Sequence, residues 1–237
     1  MLGYSHAMSG AVAWLAVAPA ATEALGMAPL NEYELIAGTI ATAGAALIPD
    51  LDHPQATIAH TFGFVSKWIA KITALLAGGH RQGTHSLLFV GGFALLSYFI
   101  GLGLNLVDST LPPLIMMFLL AAFAFRGLNI VPPKTSGSFK GIIVLLEAAG
   151  LVALLHFLNQ NSTLSWDWLW LAAGMGALVH LLGDALTPEG VPFFYPIRSR
   201  ISVPIIAHTG NIMERVIISP LLTFALIYLV WMTLIVN

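Results

Sequence analysis

Four short stretches concentrate the groups able to bind a metal or move a proton. Ser5-His6 stands near the start, and Pro49-Asp50-Leu51-Asp52-His53-Pro54 closes an apolar run. His80-Arg81-Gln82-Gly83-Thr84-His85-Ser86 opens another, and His180-Leu181-Leu182-Gly183-Asp184 ends a third. Imidazoles and carboxylates are ligands for divalent cations, and with no cysteine in the chain a metal must be held by nitrogen and oxygen. His180 and Asp184 are four residues apart, which on a helix puts them on one face with Cβ atoms about 5–6 Å apart. Pro49 stops a helix and predicts an extended piece, in which Asp50 and Asp52 point one way and His53 is turned toward them by a bend. Gly78, Gly79 and Gly83 make a flexible approach to a helix starting near Thr84. The first N–H groups of that helix favour an anion, and the planar cation of Arg81 suits phosphate oxygens.

Elements that could position these groups follow from composition. Of 237 residues, 58% are hydrophobic and 8% charged, with a mean hydropathy of +0.87, where an ordinary soluble domain carries about 25% charged residues. The fold class expected is all-α, a polytopic membrane helical bundle in a single domain, 1–237. Ala18-Pro19-Ala20-Ala21 resembles a signal-cleavage site, but no Lys or Arg precedes Lys67, so the first apolar run reads as a retained helix. Crossing about 30 Å of hydrocarbon takes about 20 residues. Seven spans are expected, at roughly 7–25, 33–49, 84–107, 112–131, 139–158, 167–186 and 212–236, with Pro132-Pro133 closing the fourth and the polar run Asn159 to Ser165 joining the fifth and sixth.

Two segments do not read as spans. Residues 56–77 place Val65, Trp68, Ile69, Ile72, Leu75 and Leu76 on one face and Ser66, Lys67 and Lys71 on the other, the period of a helix lying in the interface. Residues 187–211 hold four prolines with Phe193, Phe194 and Tyr195 among them, which predicts an irregular lid or re-entrant loop. Every Lys and Arg then falls on one side: Lys67, Lys71, Arg81, Arg126, Lys134, Lys140, Arg198, Arg200 and Arg215. The opposite loops carry Glu23, Glu32, Glu34, Asp108 and Asp167. The positive-inside rule makes the basic side cytoplasmic, with the N-terminus inside and the C-terminus outside. All four chemical stretches lie at that same edge.

Blander readings compete. A lone histidine at a helix end is more often a hydrogen-bonded interface residue than a ligand, and His60 and His156 read that way. Arg126 and Glu147 are expected to pair across the fourth and fifth spans. Pairing does not explain five histidines and three aspartates at one depth, whereas a divalent cation would neutralise them. The candidate ligands are His6, Asp50, Asp52, His53, His80, His85, His180 and Asp184, more than the four that one tetrahedral zinc takes, so one or two ions fit. Zn suits this imidazole and carboxylate mixture, and Mn is the alternative. Arg81 would stabilise developing negative charge, and Asp52 or His80 would orient or deprotonate water. Ser86, Glu189, His208 and Glu214 are candidates for the surrounding shell. A formal charge of −2 gives no electrostatic case for nucleic acid.

Taken in order, Ser5-His6, the Pro49 to His53 motif, the His80 to Ser86 motif, the His180 and Asp184 motif continuing through Thr187, Gly190, Val191 and Pro196, and His208-Thr209-Gly210 with Glu214 resemble the YdjM-like inner-membrane metal-dependent hydrolases. The resemblance covers nearly the whole chain. It implies a membrane-bound, metal-dependent hydrolase of the inner membrane. The order of motifs is also distantly similar to soluble zinc-dependent phospholipases C. A site at the lipid interface with an arginine and an aromatic lid favours a phosphate ester or phosphodiester of a lipid or lipid-linked substrate. The competing class is a metal-ion or proton-coupled transporter, which would string ionisable groups through the membrane rather than gather them at one edge.

Overall fold

The structure, a computed structural model, describes residues 1–102, 110–130, 137–160 and 164–233, with nothing described of the side chains of 137 and 138. Its elements among these residues are α1 (Gly3–Ala24), α2 (Glu32–Ala45), α3 (Phe64–Ala77), α4 (Leu87–Gly101), α5 (Leu111–Leu128), α6 (Gly137–Gln160), α7 (Leu169–Ala185) and α8 (Ser219–Trp231). Short 3₁₀ turns cover Ile48–Asp52, Thr57–His60 and Gly83–His85, and a π turn, Met213–Ile218, leads into α8. Four stretches are long and apolar enough to cross a membrane: Glu32–Asp52, Leu111–Leu128, Phe139–Gln160 and Met213–Trp231. α4 and α7 are shorter apolar helices. Asp108, Pro132-Pro133, Lys134 and the middle of the Asn159 to Ser165 run lie outside the described residues, as do the distal ends of the expected spans 84–107 and 212–236.

α2 occupies the centre, packed against α1, α5 and α7, while α4 packs on α7, α6 on α5 and α8 on α1. Small residues permit this. A Cβ on Gly10 would meet the Thr42 carbonyl oxygen at 2.6 Å, one on Gly176 would meet Ala45 Cβ and the same carbonyl at 2.6 Å, and Gly44 abuts the Leu120 backbone. Lipid tails are as apolar as leucine, so close backbone approach and van der Waals fit hold such helices together rather than hydrophobic transfer. The far end is fastened by polar bonds. Asn31 and Glu34 form a capping box at the start of α2, and Glu34 Oε1 also accepts from the Ser165 N–H and hydroxyl, both at 2.8 Å. α8 buries none of its residues, as a lipid-facing helix should.

Three expectations are revised. The third span does not start near Thr84: Gly83–His85 is a 3₁₀ turn, and α4 begins at Leu87 behind the N-cap Ser86, whose Oγ accepts from the Phe89 N–H at 3.2 Å. α3 is helical, and on its polar side Lys67 and Lys71 are exposed but Ser66 is not. Ser66 is buried, with its hydroxyl donating to the Ala59 carbonyl at 2.8 Å and accepting from the Phe62 N–H, while Phe64, Trp68, Leu75 and Leu76 are exposed. Arg126 and Glu147 make no ion pair, and Arg126 Nε and Glu147 Oε2 are each buried without a hydrogen-bond partner among the described residues. The reason is depth: Arg126 is near the end of α5 but Glu147 lies well into α6, so the two sit at different heights in the bundle. His60, itself exposed, ends the Thr57–His60 turn and His156 bonds Gln160 at 3.0 Å, both outside the site described next.

Segment 187–211 has no regular helix or strand, only turns and a single antiparallel bridge between Val191 and Ile201. It is tied to the end of α7 by the Val203 N–H on the Ala185 carbonyl (2.7 Å) and the Ile206 N–H on the Leu186 carbonyl (2.9 Å). The helices α2 and α7 finish, and α1 and α4 begin, at the end of the bundle that this segment covers.

Candidate metal centre

Asp50 and Asp52 do not sit on an extended piece. Pro49 fits the first turn of a helix, where its missing N–H is not needed, and Ile48–Asp52 continues α2 as a 3₁₀ turn. Three residues per turn give this segment three faces. Leu47 and Asp50 share one, Ile48 and Leu51 the second, Pro49 and Asp52 the third. The two carboxylates therefore diverge, Asp50 toward His180 and Asp52 toward His80.

Four side chains from three elements, the 3₁₀ turns Ile48–Asp52 and Gly83–His85 and helix α7, meet at one point. His180 Nε2 lies 3.1 Å from His85 Nε2, 3.6 Å from Asp50 Oδ1 and 3.7 Å from Asp184 Oδ2. His85 Nε2 lies 3.8 Å from Asp50 Oδ1 and 3.5 Å from Asp184 Oδ2. Ligand atoms placed tetrahedrally at 2.0–2.2 Å from a zinc ion stand about 3.4 Å from one another, close to these edges. The tautomer agrees: His180 Nδ1 sits 2.7 Å from the Ala46 carbonyl, which can only accept, so Nε2 carries a lone pair facing two carboxylates. A lone pair and two carboxylates converging in this way form a donor set that could hold a divalent cation.

Asp52 stands behind this group. It accepts from His80 Nδ1 at 2.7 Å, the Arg81 N–H at 3.1 Å and the Thr84 hydroxyl at 2.5 Å, and lies 3.3 Å from His85 Nδ1. A second converging set, Asp50, Asp52, His80 and His85, shares Asp50 and His85 with the first; Asp52 already accepts from three donors, as Asp184 takes the Met1 amino group and Arg81. Burial disfavours an imidazolium at His85, yet hydrogen bonds to Asp184, Asp50 and Asp52 outweigh it and push its pKa up to about 10.

The guanidinium of Arg81 is buried, donating to the Thr187 hydroxyl at 2.9 Å and pairing with Asp184 at 3.0 Å and Glu189 at 3.2 Å. Its backbone is left-handed (φ 56°), an unusual conformation for a side-chain-bearing residue, held by the N–H bond to Asp52. Asp50, His80, Arg81, Asp184 and Glu189 line a cavity of about 390 Å³ at the covered end of the bundle. The expected anion site at the α4 N-terminus is not available: the Leu87 N–H donates to the Phe193 carbonyl and the Phe89 N–H to Ser86.

Of the eight expected ligands, His6 and His53 stay outside both converging sets. His6 stacks face-on upon His180 with ring centroids 3.8 Å apart, and its Nε2 is 3.2 Å from Asp184 Oδ1 without hydrogen-bond geometry. His53 Nδ1 accepts from the Gln55 N–H, and its ring lies 4.5 Å from that of His80. The Met1 amino nitrogen is 2.7 Å from Asp184 Oδ1. Among the outer candidates, Glu189 touches Arg81 from the exposed side, Ser86 caps α4, and His208 is exposed. Glu214 is fully buried and accepts from the Leu2 N–H at 2.6 Å and the Gly210 N–H at 2.7 Å, so it fixes the approach to α1. Thr84, Thr187 and Gly183 escaped attention in the sequence although they stand inside its motifs. Thr84 and Thr187 orient Asp52 and Arg81, and a Cβ on Gly183 would meet His6 Cε1 at 3.2 Å.

Fold and site together define an all-helical membrane protein with a buried histidine and aspartate centre at one end of its bundle. A family model described as YdjM inner membrane protein matches residues 1–237, and the chain belongs to that family. It is 28% identical over 187 residues to Inner membrane protein YdjM of Escherichia coli (strain K12) and to that of Shigella flexneri, covering 78% of this chain and 61% of each relative. The chain thus spans about three fifths of the length of those two relatives. It is also 26% identical over 234 residues to the uncharacterized protein YvsG of Bacillus subtilis (strain 168), covering 98% of this chain and 96% of that one. No solved structure matches.

Proposed function

We propose that this protein is a membrane-embedded metal-dependent hydrolase that cleaves a phosphate ester or phosphodiester of a lipid-like substrate at the cytoplasmic face. One observation carries the reading: Asp50, His85, His180 and Asp184 surround a point at tetrahedral spacing beside a polar cavity. These four would hold the ion, and Zn suits the two imidazoles and two carboxylates best, with Mn the alternative. Bound there, the cation supplies Lewis acidity and an acidified water.

The other roles fall to side chains. Asp52 fixes the Nδ1 proton of His80, leaving Nε2 as the base, and His80 is 34% exposed, so a substrate can reach it. His80 takes a proton from the attacking water as the new P–O bond forms and returns it to the leaving oxygen as the old one breaks. Arg81 receives the phosphate oxygens, exchanging its outer contact with Glu189 for them. The clustering of Lys and Arg at this end supports a cytoplasmic orientation by the positive-inside rule.

The test uses the full chain in lipid nanodiscs with a panel of lipid phosphates and phosphodiesters, metal-loaded or chelator-stripped, with Asp50→Ala as control. Release of phosphate or head group that needs both metal and Asp50 is expected. Metal flux into vesicles without hydrolysis of any substrate would replace this reading with transport.

A further inference from the structure

The 3₁₀ turn bearing Asp50 and Asp52 has one face the metal centre does not use. Ile48 and Leu51 look away from it, into an apolar groove of about 770 Å³ walled by α4 and α5 and closed at its near end by Val65 and Ile69 of α3. Phe93, Leu96 and Ile100 recur along α4 at helical spacing. The α5 wall runs from Leu111 to Phe123, about 18 Å at 1.5 Å per residue and so more than half of a hydrocarbon core of about 30 Å. The groove therefore begins at the turn that holds the ligands and runs past the depth of one leaflet.

We infer that this groove seats the hydrocarbon chain of a phosphate-bearing membrane lipid whose head group passes round the turn into the metal cavity. The inference rests on the hydrolase reading for the fate of the head group and on the groove itself for the chain. Continuity singles the groove out: a single five-residue turn forms the floor of one space and the wall of the other. A second lipid-facing groove, of about 480 Å³ between α5 and α6, lies beside Thr110 and His156 at the opposite end and reaches none of the ligands. Bilayer hydrocarbon is as apolar as the groove, so entry gains packing and a fixed orientation rather than hydrophobic transfer. The groove acts by holding the phosphorus in reach of the centre.

The experiment uses the full chain in vesicles with a lipid phosphate carrying a photoactivatable diazirine at mid-chain. Labelled peptides are mapped, and hydrolysis of long-chain and short-chain phosphates is compared in parallel. Label is expected on residues 93–100 and 111–123, and to be lost with excess unlabelled lipid phosphate. Ile115→Trp, which fills the groove from its lipid side, is expected to lower the ratio of long-chain to short-chain hydrolysis by about tenfold or more. Leu154→Trp, on the exposed face of α6, should leave that ratio unchanged. Label spread evenly over α6 and α8 and indifferent to competitor overturns the groove assignment, even if Ile115→Trp misfolds. Competed label in the groove with no hydrolysis of any phosphate keeps the groove and overturns the hydrolase reading.

Discussion

Asp52→Asn is the substitution that separates a positioned metal centre from a mere cluster of polar residues. Asp52 is 1% exposed and accepts from His80, the Arg81 N–H and Thr84, with His85 Nδ1 at 3.3 Å. Asparagine keeps the shape but turns one of two accepting oxygens into a donor, so at least one of those protons loses its partner and one imidazole changes tautomer. Removing such a partner behind a ligand weakens metal binding about 10- to 100-fold, about 1.4–2.7 kcal/mol. The loss at His80 acts separately, because the base is then presented with its proton on the wrong nitrogen. The assay is competitive Zn titration of detergent-purified protein together with phosphate release. Expected are a 10- to 100-fold weaker affinity, a larger fall in turnover, and an unfolding temperature in chelator within a few degrees of the parent. Unchanged affinity would refute the placement of Asp52 behind His85, and an unchanged rate would refute the His80 base.

Other perturbations test neighbouring parts. His180→Ala and Asp184→Ala each delete one of four converging ligands, and metal analysis should find stoichiometric metal in the parent and loss in both; equal content in all three would remove the centre. Chelator should lower the unfolding temperature of the parent, by the equivalent of about 2.7 kcal/mol when free metal had stood at a hundred times Kd, and leave Asp184→Ala unmoved. Glu189→Gln removes the exposed competitor for Arg81, which is expected to tighten inhibition by inorganic phosphate about two- to fivefold, measured as Ki. Gly176→Leu forces a side chain against Ala45 and Thr42, and should destabilise the α2 and α7 contact by about 1–3 kcal/mol or more, read from thermal unfolding in detergent.

The membrane class, the apolar helices and the identity of most groups at the centre are legible from residue order alone, because hydropathy and residue type are properties of local chain. That order could also gather those groups at one end, since α1 and α4 must begin where α2 and α7 finish. Which atoms coincide is settled by packing between distant parts of the chain. Pro49 starts a 3₁₀ turn rather than an extended piece, so Asp50 and Asp52 part company. Arg81 closes on Asp184, a hundred residues away, and His6 stacks on His180 rather than joining the ligands, because α1 approaches α7 at Gly183. Arg126 and Glu147 stay apart because they sit at different heights on neighbouring helices. Periodicity reports which face of a helix is apolar, but the angle and height at which two helices meet are set by contacts between residues far apart in the chain.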